Sequence, residues 1–141
     1  MDRGCKGSGI SFYFYVCQVK FGKINFINSH IAEIIINDGI TLGKEEVRYC
    51  HRVLRSNLEP PFSVLIHKEN AYSYTFEAQL EMGMHSDILL RAIVVYHHNA
   101  EMAAKIIMNL NKNKNWNIEI FRERQSALDW LHTHINNRTA V

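Results

Sequence analysis

Two short apolar runs limit what this chain can become. Phe62-Ser-Val-Leu-Ile66 stands directly behind Pro60 and Pro61, and Ala92-Ile-Val-Val95 follows later. Neither run alternates polar with apolar residues. Each therefore predicts a strand covered on both faces, the pattern of a parallel sheet between helices. Between them, Thr75 to Met84 carries Phe76, Leu80 and Met84 on one face of a predicted helix. A strand, a helix and a second parallel strand imply a right-handed crossover. The link from His67 to Tyr74 is polar and rich in hydroxyls, and it leaves the carboxyl end of a strand, where ligands of open α/β sheets usually sit.

The flanking sequence extends this pattern. Gly22–Ile27 and Ile31–Asn37 read as strands, and Asn28-Ser29-His30 is short enough to join them as a hairpin. Asn37-Asp38-Gly39 marks a turn, and Thr41 is the expected N-cap of a helix with Val47, Cys50, His51, Leu54 and Leu58 on its apolar face. Asn99 is expected to cap a helix striped by Met102, Ala103, Ile106, Ile107 and Leu110. Ile118–Phe121 reads as a last strand, before a helix with Ala127, Leu128, Leu131 and Ile135 on one face. The predicted order is β-β-α-β-α-β-α-β-α over residues 22–141. It corresponds to an α/β fold with a single mixed, mostly parallel sheet of about five strands and about four helices. Residues 1–21 are set apart as an N-terminal tail, dispensable for folding, or as an extra strand built on Phe12, Phe14 and Val16.

Composition narrows the function classes. The 141 residues, 47% hydrophobic and 21% charged, suit one soluble domain with a real core. The formal net charge of +2 is small and the basic residues are scattered, so nucleic acid is not an expected partner. No stretch approaches the ~20 apolar residues of a membrane span. Ile10–Cys17, behind Arg3 and Lys6, has the order of a signal peptide but lacks an A-x-A-like cleavage site. Three cysteines without regular spacing, Cys5, Cys17 and Cys50, predict reduced thiols and a cytoplasmic protein, with Cys50 in the core.

Taken together, Ile31–Gly39 before the Thr41 helix, Val64-Leu65-Ile66 leading to Asn70-Ala-Tyr-Ser73, Ala92-Ile-Val-Val95, and Phe121 followed by Ala127-Leu128-Asp129-Trp130-Leu131 resemble the STAS-like family. That family comprises the bacterial anti-sigma-factor antagonists and their uncharacterised STAS/SEC14-like relatives. The resemblance covers residues 22–135. It implies a non-enzymatic regulatory module working through protein–protein contact, switched by phosphorylation of a serine or threonine after the central strand. The antagonists' loop reads approximately Asp-Ser-Ser-Gly. Here Ser73-Tyr74-Thr75-Phe76 stands in its place, without the Asp and the Gly. The SEC14-like side of the family implies the alternative of a small-molecule or lipid carrier.

Ser73 and Thr75 are the candidate phospho-acceptors or anion-binding hydroxyls, because a helix N-terminus favours phosphate. The plainer role is a helix cap worth about 1 kcal/mol. Asn70, Tyr72 and Tyr74 are candidate interface residues, since aromatic side chains beside a loop make good anchors, while Phe76 is expected to pack inward. A protein partner of unspecified identity is expected, with a homodimer as one possibility. No metal is expected: His97 and His98 are adjacent on a strand end, and His132 and His134 are two apart on a helix, so neither pair converges. No cofactor motif is present. A hydrolase would need Ser73 and His97 to meet, and no catalytic residue is assigned.

Overall fold

The computed structural model describes residues 15–114 and 117–139. In chain order the elements are β1 (Tyr15–Val19), β2 (Gly22–Asn28), β3 (Ile31–Ile36), β4 (Thr41–Leu42), α1 (Lys44–Asn57), β5 (Phe62–His67), β6 (Ser73–Tyr74), α2 (Phe76–Met82), β7 (Ile88–Val94), α3 (His98–Leu110), β8 (Asn117–Phe121) and α4 (Arg124–Thr139). The main sheet has the order β1-β2-β3-β5-β7-β8, six strands where about five were expected. β1, β2 and β3 pair antiparallel, and β3, β5, β7 and β8 are parallel.

The two apolar runs became β5 and β7, side by side in the middle of the parallel part. Val64, Leu65, Ile66, Ile93, Val94 and Val95 are all buried, with Val95 one residue beyond its strand. Their side chains alternate between two cores. Val64, Ile66 and Ile93 pack with Val53, Leu54 and Ala104 beneath α1 and α3. Leu65, Ala92 and Val94 pack with Ala127, Leu128 and Leu131 of α4 on the opposite face. Ile135, expected on the same α4 stripe, lies outside the described side chains.

Residues 1–14 likewise lie outside the description, but β1 itself is part of the sheet. Cys17 is fully buried, and the Tyr15 ring stacks on Phe26 at 4.9 Å. Cys17 is disulfide-bonded, which corrects the expectation of three reduced thiols. Cys50 is a free buried thiol, pushed up to about 12 by burial and by the Glu46 charge.

Helix starts moved by a few residues. Thr41 lies in β4, and Gly43 is the N-cap of α1, where its N–H is accepted by the Glu46 carboxylate at 2.8 Å. His97 is the N-cap of α3, which leaves Asn99 inside the helix. Asn57 and Leu58 end α1 ahead of Pro60 and Pro61, whose shared peptide bond is cis.

Candidate functional site

The polar link after β5 is pinned down along its length. Its two-residue strand β6 pairs in parallel with β4, Thr41 opposite Ser73 and Leu42 opposite Tyr74. Around this pair, Gly39 N–H donates to Ala71 O at 2.7 Å, Ser73 N–H to Ile40 O at 3.0 Å, and Thr75 N–H to Leu42 O at 2.9 Å. Asn70 turns inward and donates its Nδ2–H to Ile36 O at 2.9 Å.

Tyr72 and Tyr74 are partly buried and turned onto each other, hydroxyl to hydroxyl at 3.3 Å. Lys68 Nζ lies 3.7 Å from the Tyr72 ring centre. Burial pushes the Tyr74 phenol up to about 12 and brings the Lys68 ammonium down to about 8. The two candidate hydroxyls separate in role. Thr75 is the N-cap of α2, its Oγ1 accepting from Ala78 N–H at 3.1 Å. Ser73 is exposed, with its Oγ 3.3 Å from Thr41 Oγ1. No hydrogen bond joins Ser73 to His97.

Phe76, expected to pack inward, is 58% exposed. Along the same helix face Leu80 is exposed and Met84 just beyond the helix is 61% exposed; on α3 Ile106 is 60% exposed, with Met102 and Leu110 beside it. The two helices lie side by side, tied where Asn111 Nδ2–H donates to Gln79 O at 3.0 Å. Both cross between parallel neighbours on the same side of the sheet, so they run parallel. A cleft of about 160 Å³ between them is lined by Ser73, Gln79, Met82, Ala103, Ile106 and others. An apolar cavity under α1, bordered by Leu42, Leu54, Val64 and Ile66, holds about 70 Å³.

A buried polar cluster lies on the α4 side. Glu33 of β3 is 2% exposed, yet charged groups converge on it. Arg124, at the start of α4, donates twice, Nε to Oε2 at 2.8 Å and Nη2 to Oε1 at 2.9 Å. Asn25 Nδ2 donates to Oε1 at 3.2 Å, and His67 Nδ1 lies 2.7 Å from Oε2. Burial by itself would raise this carboxyl. The Arg124, Asn25 and His67 hydrogen bonds and the Arg124 charge outweigh it and hold Glu33 at about 2. At its other nitrogen, His67 Nε2 lies 2.6 Å from the hydroxyl of Tyr96, just past β7. The sequence carried a trace of this cluster. Glu33 interrupts an otherwise apolar strand and His67 ends another, a sign of buried charge that demands a partner.

Among the described residues no group of three or more His, Cys, Asp or Glu side chains could hold a metal ion. No helix among them is long and apolar enough to cross a membrane.

No family model and no curated protein matches the sequence. Among solved structures, an uncharacterized DUF3478-family protein from Shewanella loihica PV-4, with a SpoIIAA-like fold, is similar. Its crystal structure at 2.25 Å resolution aligns with a TM-score of 0.50 and 15% identity over 84% of this chain and 91% of that one. At that identity the likeness is one of fold. The chain therefore has the SpoIIAA-like, or STAS-like, fold that the resemblance implied.

Proposed function

We propose that this chain is a non-enzymatic regulatory interaction module that docks a protein partner on the face formed by α2 and α3. The observation that carries the reading is the paired stripe of exposed apolar side chains, Phe76, Leu80 and Met84 beside Met102, Ile106 and Leu110. Apolar residues scattered singly over a surface are ordinary, whereas two adjoining stripes form a patch of the kind that marks an interaction site. Ser73 borders the cleft between these helices. A phosphate there would add roughly −1.5 to −2 charge beside the apolar surface and weaken docking. Thr75 serves as the cap of α2 and is the poorer acceptor.

The carrier alternative has less behind it. A carrier needs a mostly apolar pocket of roughly 300 Å³ or more. The apolar cavity against the sheet holds about 70 Å³, and the roomier clefts, about 530 and 540 Å³, are bordered by charged and polar side chains such as Arg48, Arg52, Asp87, Lys68, Glu69 and Asn70.

The test is capture of partners from native cells with the wild type and with Phe76→Glu/Ile106→Glu. Both changes are at exposed positions, so the variant should melt within a few degrees of the wild type. Quantitative mass spectrometry should show partner recovery reduced by more than about tenfold, roughly 1.4 kcal/mol. Undiminished recovery of the same proteins by the variant would refute the docking face, and self-association lost in the variant would identify the partner as a second copy.

A further inference from the structure

The Glu33 cluster contains more than is needed to hold α4. Glu33 and Arg124 already satisfy one another with two hydrogen bonds. His67 is a third member, and it links Glu33 to the surface. Because Glu33 is ionised, its oxygens only accept, so His67 Nδ1 carries a proton and donates it to Oε2. In the neutral ring Nε2 is then an acceptor, facing the Tyr96 hydroxyl at 2.6 Å. Carboxylate, imidazole and hydroxyl stand in the order and at the distances that activate a nucleophile. Tyr96 is 45% exposed and lies just beyond the carboxyl end of β7, with His67 ending its neighbour β5. The same end of an open parallel sheet is where ligands approach.

We propose that Glu33, His67 and Tyr96 make Tyr96 a modification site, an acceptor that takes an acyl group from a neutral activated ester. Tyr96 Oη attacks the ester carbonyl carbon while His67 Nε2 takes the phenol proton. The tetrahedral adduct then collapses, its bond to the leaving group breaks, and His67 returns the proton to that group. The products are acyl-tyrosine and a free alcohol or thiol, with no change of oxidation state. Glu33 holds the ring in the required tautomer and stabilises the transient imidazolium.

Two features select the donor. The charges at the site are mixed: the Glu69 carboxylate, with Oε1 3.9 Å from His67 Nε2, would repel an anionic phosphoryl donor and offset the attraction of the Arg124 guanidinium that also acts on Tyr96, whereas a neutral ester meets no such repulsion. Phenolate is itself a fair leaving group, with a parent pKa of about 10. Transfer onto it is favourable only from donors whose leaving group is no more basic, such as aryl esters and thioesters.

The probe is p-nitrophenyl acetate added to the full chain. The expected result is a burst of about one equivalent of p-nitrophenolate, with a single acetyl group on the peptide that contains Tyr96. Its rate should exceed that of N-acetyltyrosinamide by more than about tenfold, fall by a similar factor in His67→Gln, and vanish in Tyr96→Phe. Should His67→Gln fail to fold, the pH profile of the wild type decides. A histidine base makes labelling rise and level off below the range where free phenol ionises. A rate that climbs without a plateau into that range, or Tyr96 labelled no faster than the small amide, would overturn the proposal. So would acetylation confined to lysines.

Discussion

Neutralising Glu33 tests the physical core of this structure. A carboxyl held at about 2 in place of its ordinary 4.5 corresponds to about 3 kcal/mol of folding free energy at neutral pH. The sign follows from proton binding. As pH falls below 4.5 the unfolded chain protonates Glu33 while the folded chain does not, so acid favours unfolding until about pH 2. The contribution is thus complete above the unfolded value, reduced by roughly a third to a half near pH 3.5, and gone below about pH 2. Glu33→Gln removes the charge; the Arg124 side chain left behind is 40% exposed and stays solvated, so the loss remains near the roughly 3 kcal/mol of the carboxylate itself and does not reach the full cost of stranding a buried charge. Urea unfolding of both proteins at neutral pH and in steps toward pH 3 measures the difference. The wild type should be more stable by about 3 kcal/mol at neutrality, about 10 °C in Tm for a domain of this size. The gap should narrow by roughly a third to a half as the pH falls to about 3.5. A gap below about 1 kcal/mol at neutral pH, or one that does not narrow in acid, would show that Glu33 is not ionised within the cluster.

Three further outcomes follow from the geometry. Gly22→Ala should destabilise by about 3 kcal/mol or more, since a Cβ there would lie 2.2 Å from Ile35 O, a backbone atom that cannot swing away; a thermal melt within a degree or two of wild type would contradict the close approach. Thr75→Ala should cost about 1 kcal/mol through the lost cap while Ser73→Ala stays near neutral; Ser73→Asp should keep Tm within a few degrees and weaken partner binding more than about tenfold, and equal binding by the Asp and Ala variants would rule out Ser73 as a switch. Deleting residues 1–20 removes β1 with the buried Cys17 and the Tyr15–Phe26 stack, so the melt should drop by several degrees, against the sequence expectation of a dispensable tail; an unchanged melt would show that β1 contributes little.

The sheet was legible because its signals are local. Continuous apolar runs specified β5 and β7, and a three-residue polar link specified the β2–β3 hairpin. The misread positions share a different cause. Thr41 looked like a cap by residue type, but the actual cap relies on Glu46 reaching back to Gly43, an interaction that residue type at one position does not reveal. Ser73-Tyr74 looked like free loop because a two-residue strand has no periodicity, and its partner Thr41-Leu42 lies in a different connection. Tyr72 and Tyr74 turned inward because their hydroxyls satisfy each other and Lys68 covers the rings. Phe76 turned outward because α2 begins at that residue with Ala78 as the buried position. The least legible contact joins residues 33 and 124 across most of the chain; the buried charge could be suspected from one strand, but its partner could not.

Alternation along β5 organises both proposed activities. Ile66 points to the side of α1–α3 and helps close the core there. Its neighbour His67 points to the side of α4 and reaches Glu33 and Tyr96. One step along a strand therefore separates the proposed docking side from the proposed acceptor hydroxyl. α4 buries only Ala127, Leu128 and Leu131 among its described side chains. The bidentate Arg124 contact at its first residue accordingly does much to fix how it lies on the sheet. The same contact holds Glu33, through which His67 is oriented. An acyl group on Tyr96 would change the α4 side of the molecule while leaving Phe76 and Ile106 open to a partner on the other. The two sites share a strand but no side chain, and changes at one should add to changes at the other with little coupling.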